Sequence, residues 1–386
     1  MYMREAVIVE AVRTPLGKRN GTLAGIRSED LAAKALAEVV RRAGISADLI
    51  EDVIMGCVSQ VGEQALDIGR QAALIAGFPV EVPGITIDRQ CGSSQQAVHF
   101  AAQAIISGDM DVVIAAGIEN MSRVPMFSNA QGVELSEELT SKYDMINQGL
   151  SAELIAEKWN ISREEMDSFS LHSHEKAVSA RNKGYFEREI FPLEVTLPNG
   201  TKTVLRQDEG PRDNTSVEKL AGLKPSFKED GSVTPGNSSQ ISDGASALLL
   251  MSREKAEELG LKPRFRVLAR SVVGSDPTLM LTGPIPATEK VLKKAGLSID
   301  DIDIFEVNEA FATVPIAWLK ETGANSSKLN PNGGAIALGH PLGASGGRLM
   351  ITMMYELERT GGRYGLQTMC EGHGMANATI IERLDS

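Results

Sequence analysis

Four short stretches carry side chains suited to nucleophilic and acid–base chemistry. Cys91 sits in DRQCGSSQQA, after an apolar, β-branched run (Gly84–Asp88) that reads as a short buried strand. A helical pattern of Ala97, Val98, Ala101, Ala102, Ile105 and Ile106 follows it. A thiol at such a handover meets free N–H groups and the positive end of a helix dipole. Its pKa is therefore expected below the ordinary value of about 8.5. Gly92, Ser93 and Ser94 keep bulk away from the sulfur. Asn308 and Glu309 end another apolar strand in VNEAF, His340 lies in the Gly-rich bend of NPNGGAIALGHPLGASGGR, and Cys370 ends a strand in TMCEGHGMANA. A cysteine nucleophile needs a base, usually His. A second thiol can serve as acid and base on the far side of a substrate, and N–H groups in a Gly-rich turn can hold an oxyanion. Singly, each has a plainer reading: core packing for either Cys, a structural role for the His, a helix cap for Asn308. Their joint occurrence favours a catalytic set.

The totals bound what these residues can belong to. The chain has 386 residues, enough for two or three domains. Its 42% hydrophobic and 23% charged content is that of a globular protein. A net charge of −12 without a basic run argues against nucleic acid as partner. The three cysteines have no CxxC or CxxH spacing, so no metal site or disulfide scaffold is expected, and a reducing, cytoplasmic setting is. The N-terminus reads as a first strand rather than a signal peptide, and no apolar run is long enough to span a membrane.

The elements that must position these residues alternate. Ala6–Ala11, Asp52–Val58, Gly84–Asp88 and Asp111–Gly117 read as strands, with helices over Glu29–Arg42, closed by Gly44, and Ile68–Ala76. This rhythm implies an α/β fold with a mostly parallel sheet covered on both faces. It breaks between Ile118 and Gln240, where two charged helices (Ser151–Lys158, Arg163–Lys183) and a polar Gly/Pro-rich tract read as an inserted loop domain. The sheet resumes at Ala245–Met251 and Phe265–Gly274. RRAGISADLIEDVIM (Arg41–Met55) then resembles KKAGLSIDDIDIFEV (Lys293–Val307), so the two halves read as duplicates whose equivalent helix N-termini meet at a shared centre.

DRQCGSSQQA, VNEAF, NPNGGAIALGHPLGASG and CEGHGMANA together resemble the thiolases, the acyl-CoA:acetyl-CoA C-acyltransferases, over essentially the whole chain. The resemblance implies duplicated halves layered αβαβα with mixed, mostly parallel sheets. The halves would be 1–118 (completed by 241–262) and 263–386, with 119–240 as a CoA-binding loop domain. It implies Cys91 as the acylated nucleophile, His340 as its base, Asn308 as holder of a water at the thioester oxygen, and Cys370 as acid and base. The N–H groups of Cys91 and Gly372 would form the oxyanion hole. Ser239 would meet the pantetheine arm and Arg212 the adenine, with Met280 and Phe311 as acyl-pocket walls. No metal or permanently bound cofactor is implied. Acyl-CoA and CoA are substrates, and the assembly is a homodimer or homotetramer.

Three features depart from the family pattern. His373 stands where thiolases mostly carry Gly, and is read as a conservative change in the site lining. Asn147 and Gln148 replace the His-Met of biosynthetic members. The stretch from Gly117 to Gly149 is short, which leaves tetramer formation open. His99, His172 and His174 read as surface or packing residues.

Overall fold

The computed structural model describes residues 4–197 and 200–384. The site is held by nine strands: β1 (Ala6–Arg13), β2 (Asp52–Gly56), β3 (Gly84–Ile87), β4 (Val112–Asn120), β5 (Ser242–Ser252), β6 (Phe265–Gly274), β7 (Ile304–Val307), β8 (Tyr364–Glu371) and β9 (Met375–Arg383). With a two-residue strand at Gly17–Lys18 beside β5, they form a ten-stranded mixed sheet in the order β7-β8-β9-β6-β1-β5-β4-β2-β3. Pairing is parallel for β2–β3, β2–β4 and β7–β8, and antiparallel elsewhere along that path.

The order repeats itself. The run β2-β4-β5-β1 matches β7-β8-β9-β6, and within the sheet the two runs pair where Val7 and Ile8 meet Arg266 and Phe265. The internal sequence repeat falls at equivalent places. Helix α1 (Ser28–Ala43) ends on Gly44 at φ 70°, passes a short 3-10 turn and enters β2; the later helix Pro284–Ala295 ends on Gly296 at φ 68°, passes a similar turn and enters β7. Both helices thus stop by the left-handed glycine mechanism.

Helices alternate with the halves in five layers. Helix α1 and α2 (Ile68–Ile75) cover one outer face, in a core with Leu36, Val53 and Leu249. Helix α3 (Ser93–Ser107) and the later Leu342–Thr360 lie between the halves, where Ala97, Ala101 and Ile105 meet Met350, Met353 and Leu357. Pro284–Ala295 and Thr313–Thr322 cover the other outer face through Val291 and the fully buried Trp318. Strand β4 is buried at every residue, as its apolar run implies. Strand β3 departs from the expected buried strand. It is the sheet edge, only half covered, with Ile85 49% exposed. An apolar β-branched run does not by itself separate a central strand from an edge that another surface covers.

The segment between β4 and β5 holds helices α4 (Gln148–Lys158) and α5 (Arg163–Asn182) and a small hairpin, Leu193–Thr196 with Lys202–Leu205. A fully buried Arg13 on β1 pins it, donating to Glu189 (2.7 Å) and to both Asp208 oxygens (2.7 and 2.9 Å). Among the described residues no helix is long and apolar enough to cross a membrane. With α6 (Pro284–Ala295), α7 (Thr313–Thr322) and α8 (Leu342–Thr360), the framework of the site is complete.

Candidate active site

Glycine lets α3 and α8 start almost in contact. A Cβ on Gly346 would lie 2.8 Å from the Gln95 Cβ and still closer to the Gln95 backbone N. Gly347 N–H donates to Ser94 Oγ (2.8 Å) across the same junction. Cys91 precedes α3 and His340 precedes α8, so the two N-termini bring thiol and imidazole to one place. A cavity of about 200 Å³ is lined by Cys91, His340, Cys370 and Gly372, together with Ser239, Gln148, Leu281 and Phe311. Residues scattered over some 280 positions of the chain therefore face one space.

The hydrogen bonds of His340 fix its tautomer. Ser345 Oγ gives its only hydrogen to Pro341 O (2.7 Å), so at 2.6 Å from His340 Nδ1 it must accept. The ring proton is then on Nδ1. Nε2 carries a lone pair, 3.4 Å from the Asn308 Nδ2 donor. Asn308 Oδ1 is buried and has no hydrogen-bond partner among the described residues. Burial, with Arg348 nearby, drives the His340 pKa down to about 3, so the ring is a neutral acceptor.

The thiols depart from expectation. Burial pushes Cys91 well above the usual thiol range, and Cys370 and Glu371 add to it. The helix dipole does not win. The N–H groups of Gly92 and Ser93 are turned back onto Arg89 O and Gln90 O, and desolvation outweighs the rest. Burial likewise lifts Cys370 to about 12. The resting pair is a neutral thiol and a neutral imidazole.

Other positions divide. Ser239 lines the cavity and donates its N–H to Ala310 O (2.9 Å). Phe311 lines it too, edge-on to Phe227 at 5.9 Å. Met280 does not: it is packed behind the wall beside Ala152 and Ile155, and its neighbour Leu281 takes the lining position. Arg212 lies on a separate cavity of about 370 Å³ with Lys219 and Asn214. His373 is exposed, outside the lining, so it is not the lining change expected from sequence. It holds φ 64°, a left-handed geometry that suits glycine. His99 is fully buried against Thr379 Oγ1 (2.7 Å), and His174 Nδ1 accepts from Arg212 N (3.2 Å), both packing roles; His172 is exposed. Among the described residues no cluster could hold a metal ion.

Sequence reading missed three supports. Glu119, at the end of β4, accepts from Val58 N, Ser59 N, Gln64 Nε2 and Gly343 N, tying the N-terminus of α8 to the first half. Glu309 accepts from Ser173 Oγ, Asn330 Nδ2 and Ile336 N, tying VNEAF to α5 and the Gly-rich bend. Asn308 is therefore no helix cap, since α7 starts only at Thr313. The third is Ser345. The available signal was a carboxylate directly after an apolar strand, a position where burial demands partners.

The comparisons agree with this architecture. The thiolase N-terminal domain model matches residues 6–254 and the thiolase C-terminal domain model residues 261–383. The chain is 53% identical to the steroid 3-ketoacyl-CoA thiolase FadA6 of Mycobacterium tuberculosis, over 99% of this chain and 95% of that one. It is 44% identical to a beta-ketoadipyl-CoA thiolase of Escherichia coli, over 99% of this chain and all of the relative. The crystal structure of the Bacillus anthracis acetyl-CoA acetyltransferase superposes with a TM-score of 0.92 at 40% identity, covering 99% of each chain. With both halves matched and full-length relatives at this identity, the chain belongs to the thiolase family and is an acyltransferase acting in acyl-CoA metabolism.

Proposed function

We propose that this chain cleaves 3-ketoacyl-CoA with CoA, reversibly, through an acyl thioester on Cys91. The observation that carries the reading is the convergence of Cys91, His340, Cys370 and Gly372 on one cavity. Cys91 Sγ attacks the 3-keto carbon while His340 Nε2 takes the thiol proton. The N–H groups of Cys91 and Gly372 receive the oxyanion. The C2–C3 bond breaks, and the acetyl-CoA enolate is held by the His340 imidazolium and Asn308. Cys370 gives its proton to C2, and acetyl-CoA leaves. Cys370 thiolate then takes the proton of incoming CoA, whose sulfur displaces Cys91; Cys91 recovers its proton from His340. No tightly bound cofactor enters, and CoA is a substrate. Ser239, on the cavity wall, is read as meeting the pantetheine arm, and Arg212, with Lys219 on its own cavity, as meeting the nucleotide.

Among the described residues lining the cavity there is no Lys or Arg. A neutral acyl group suits these walls, and an ω-carboxylate has no counter-charge. The enzyme is read as self-associating along the β3 edge, beside which Leu66 (89%) and Val80 (72%) are exposed. Three free, buried cysteines fit a reducing cytoplasm.

The test is thiolysis of 3-ketoacyl-CoA by wild type and Cys91→Ser, with acyl-enzyme followed by mass spectrometry. Wild type should gain one acyl group on the Cys91 peptide and favour neutral over ω-carboxylated acyl groups by at least about tenfold. Cys91→Ser should lose turnover by about a thousandfold or more. Near-normal turnover of the serine variant overturns the nucleophile, and preference for 3-ketoadipyl-CoA overturns the acyl assignment. Light scattering giving a monomer at micromolar concentration refutes self-association.

A further inference from the structure

Glu371 directly follows Cys370 and precedes Gly372, at the end of β8, yet no step above uses it. Its side chain is fully buried, and among the described residues neither carboxyl oxygen has a hydrogen-bond partner. It does not point back along its own strand. A Cβ on Gly92 would lie 2.9 Å from the Glu371 Cδ and closer still to Oε1, so the carboxyl rests against the Gly92 Cα, one residue from the nucleophile. Asn377 completes the contact from β9, with its Nδ2 donating to Gly92 O (3.0 Å). This explains why residue 92 is glycine: any side chain would displace the carboxyl.

We propose that Glu371 is a positioning residue that clamps the Cys91–Gly92 turn to the Cys370–Gly372 turn, the two backbone segments whose N–H groups would hold the oxyanion. The inference rests on Cys91 being the nucleophile. The clamp tolerates its site only as a neutral acid. Burial raises the Glu371 pKa to about 8, Asp88 adds to the rise, and Arg89 opposes it. Arg89 makes no ion pair with it: Nε has no partner among the described residues and Nη1 reaches the Met375 sulfur (3.7 Å). The remaining titratable neighbours are the Cys91 and Cys370 thiols, each of which an ionised Glu371 pushes up, and His373, which acts on Asp88. A carboxylate here would oppose both the Cys91 thiolate and the oxyanion. The protonated acid fills the same space without that charge.

Glu371→Gln keeps the shape and cannot ionise; Glu371→Ala removes the wedge. At pH 7 the Gln variant should keep kcat/KM within about threefold of wild type, and the Ala variant should lose about thirtyfold or more, chiefly in kcat. Iodoacetamide alkylation of Cys91, read by peptide mass spectrometry between pH 6.5 and 9.5, supplies a readout that packing alone would not move. The Gln variant should match wild type at pH 6.5 and exceed it about threefold or more at pH 9. Equal alkylation curves, or an Ala variant with wild-type kcat, overturn the proposal. If Cys91→Ser remains active, the nucleophile assignment fails instead, whatever the Glu371 variants do. If the Ala variant does not fold, the Gln curves alone decide.

Discussion

Gly346→Ala tests whether the meeting of two helix N-termini is what makes the site. The added Cβ would stand 2.8 Å from Gln95 Cβ and nearer to Gln95 N, where ordinary contact begins near 3.4 Å. The obstacle is largely helix backbone, which cannot rotate aside, so α3 and α8 must part by roughly 1 Å. Overpacking of this kind costs about 1–3 kcal/mol of stability. The same displacement carries His340 away from Cys91, and a misplacement of about 1 Å can cost about a hundredfold in rate. The assay is kcat/KM for acetoacetyl-CoA thiolysis beside urea unfolding, with Gly274→Ala as the control, since a Cβ there meets nothing within 4 Å. The variant should fold, lose about a hundredfold in kcat/KM and be about 1–3 kcal/mol less stable, while the control stays unchanged. Activity within about threefold of wild type in a folded Gly346→Ala protein would refute the reasoning, because the reacting groups would then not depend on this contact.

His373→Gly should raise stability by about 0.5–1 kcal/mol, since the strain of φ 64° in an L-residue exceeds the entropy that glycine loses on folding; urea denaturation reads the change, and kcat should move less than about twofold because the side chain is exposed. The buried histidines should each contribute stability that is lost as pH drops below about 6.5. His99 and His340 have pKa values lowered to about 3 and His174 to about 4, so in that window the unfolded chain binds protons that the folded chain refuses, while the buried Glu306 and Glu371, raised to about 8, act in the opposite sense; between pH 7 and pH 5 the urea midpoint of wild type should therefore fall relative to that of His99→Gln, which isolates the histidine contribution. For the same reason kcat/KM should show no inflection near pH 6.5 from the catalytic base, and an inflection lost in a His340 variant would contradict the neutral imidazole.

The candidate residues that the fold brings to one cavity were legible because each sits in a short, locally ordered context: a strand that ends, a turn of small residues, a helix that begins. The duplication was legible for the same reason, since Arg41–Met55 and Lys293–Val307 each encode a helix stop, a 3-10 turn and a strand within fifteen residues. What could not be read depends on groups brought in from elsewhere. The Cys91 pKa was expected low from its helix end, but the sign is decided by burial, to which Cys370 and, when ionised, Glu371, both some 280 positions away, add. Met280 was expected to line the site and Leu281 lines the cavity instead, because no periodic element precedes them to set which side faces in. Glu119 and Glu309 went unread as supports because a carboxylate's value depends on the donors that surround it, and each draws its donors from three separate segments.

The neutral resting pair follows from what a ping-pong acyl transfer demands. Donors aimed at a thiolate would stabilise the ground state and make the sulfur a poorer nucleophile, raising the barrier they were meant to lower. Here the N–H groups of Gly92 and Ser93 are occupied by Arg89 O and Gln90 O, and the imidazole is held neutral with its lone pair at Nε2. Charge therefore appears only when the carbonyl is attacked, and the groups that answer it act on the transition state alone. Glu371 obeys the same logic. A carboxylate beside the nucleophile would be a standing negative charge, whereas a protonated acid holds the two turns together without placing a second charge beside the oxyanion. The burial that raises both thiols and lowers the imidazole is thus a condition of catalysis rather than an obstacle to it, and every substitution that admits water to this junction should slow turnover even where the reacting side chains remain in place.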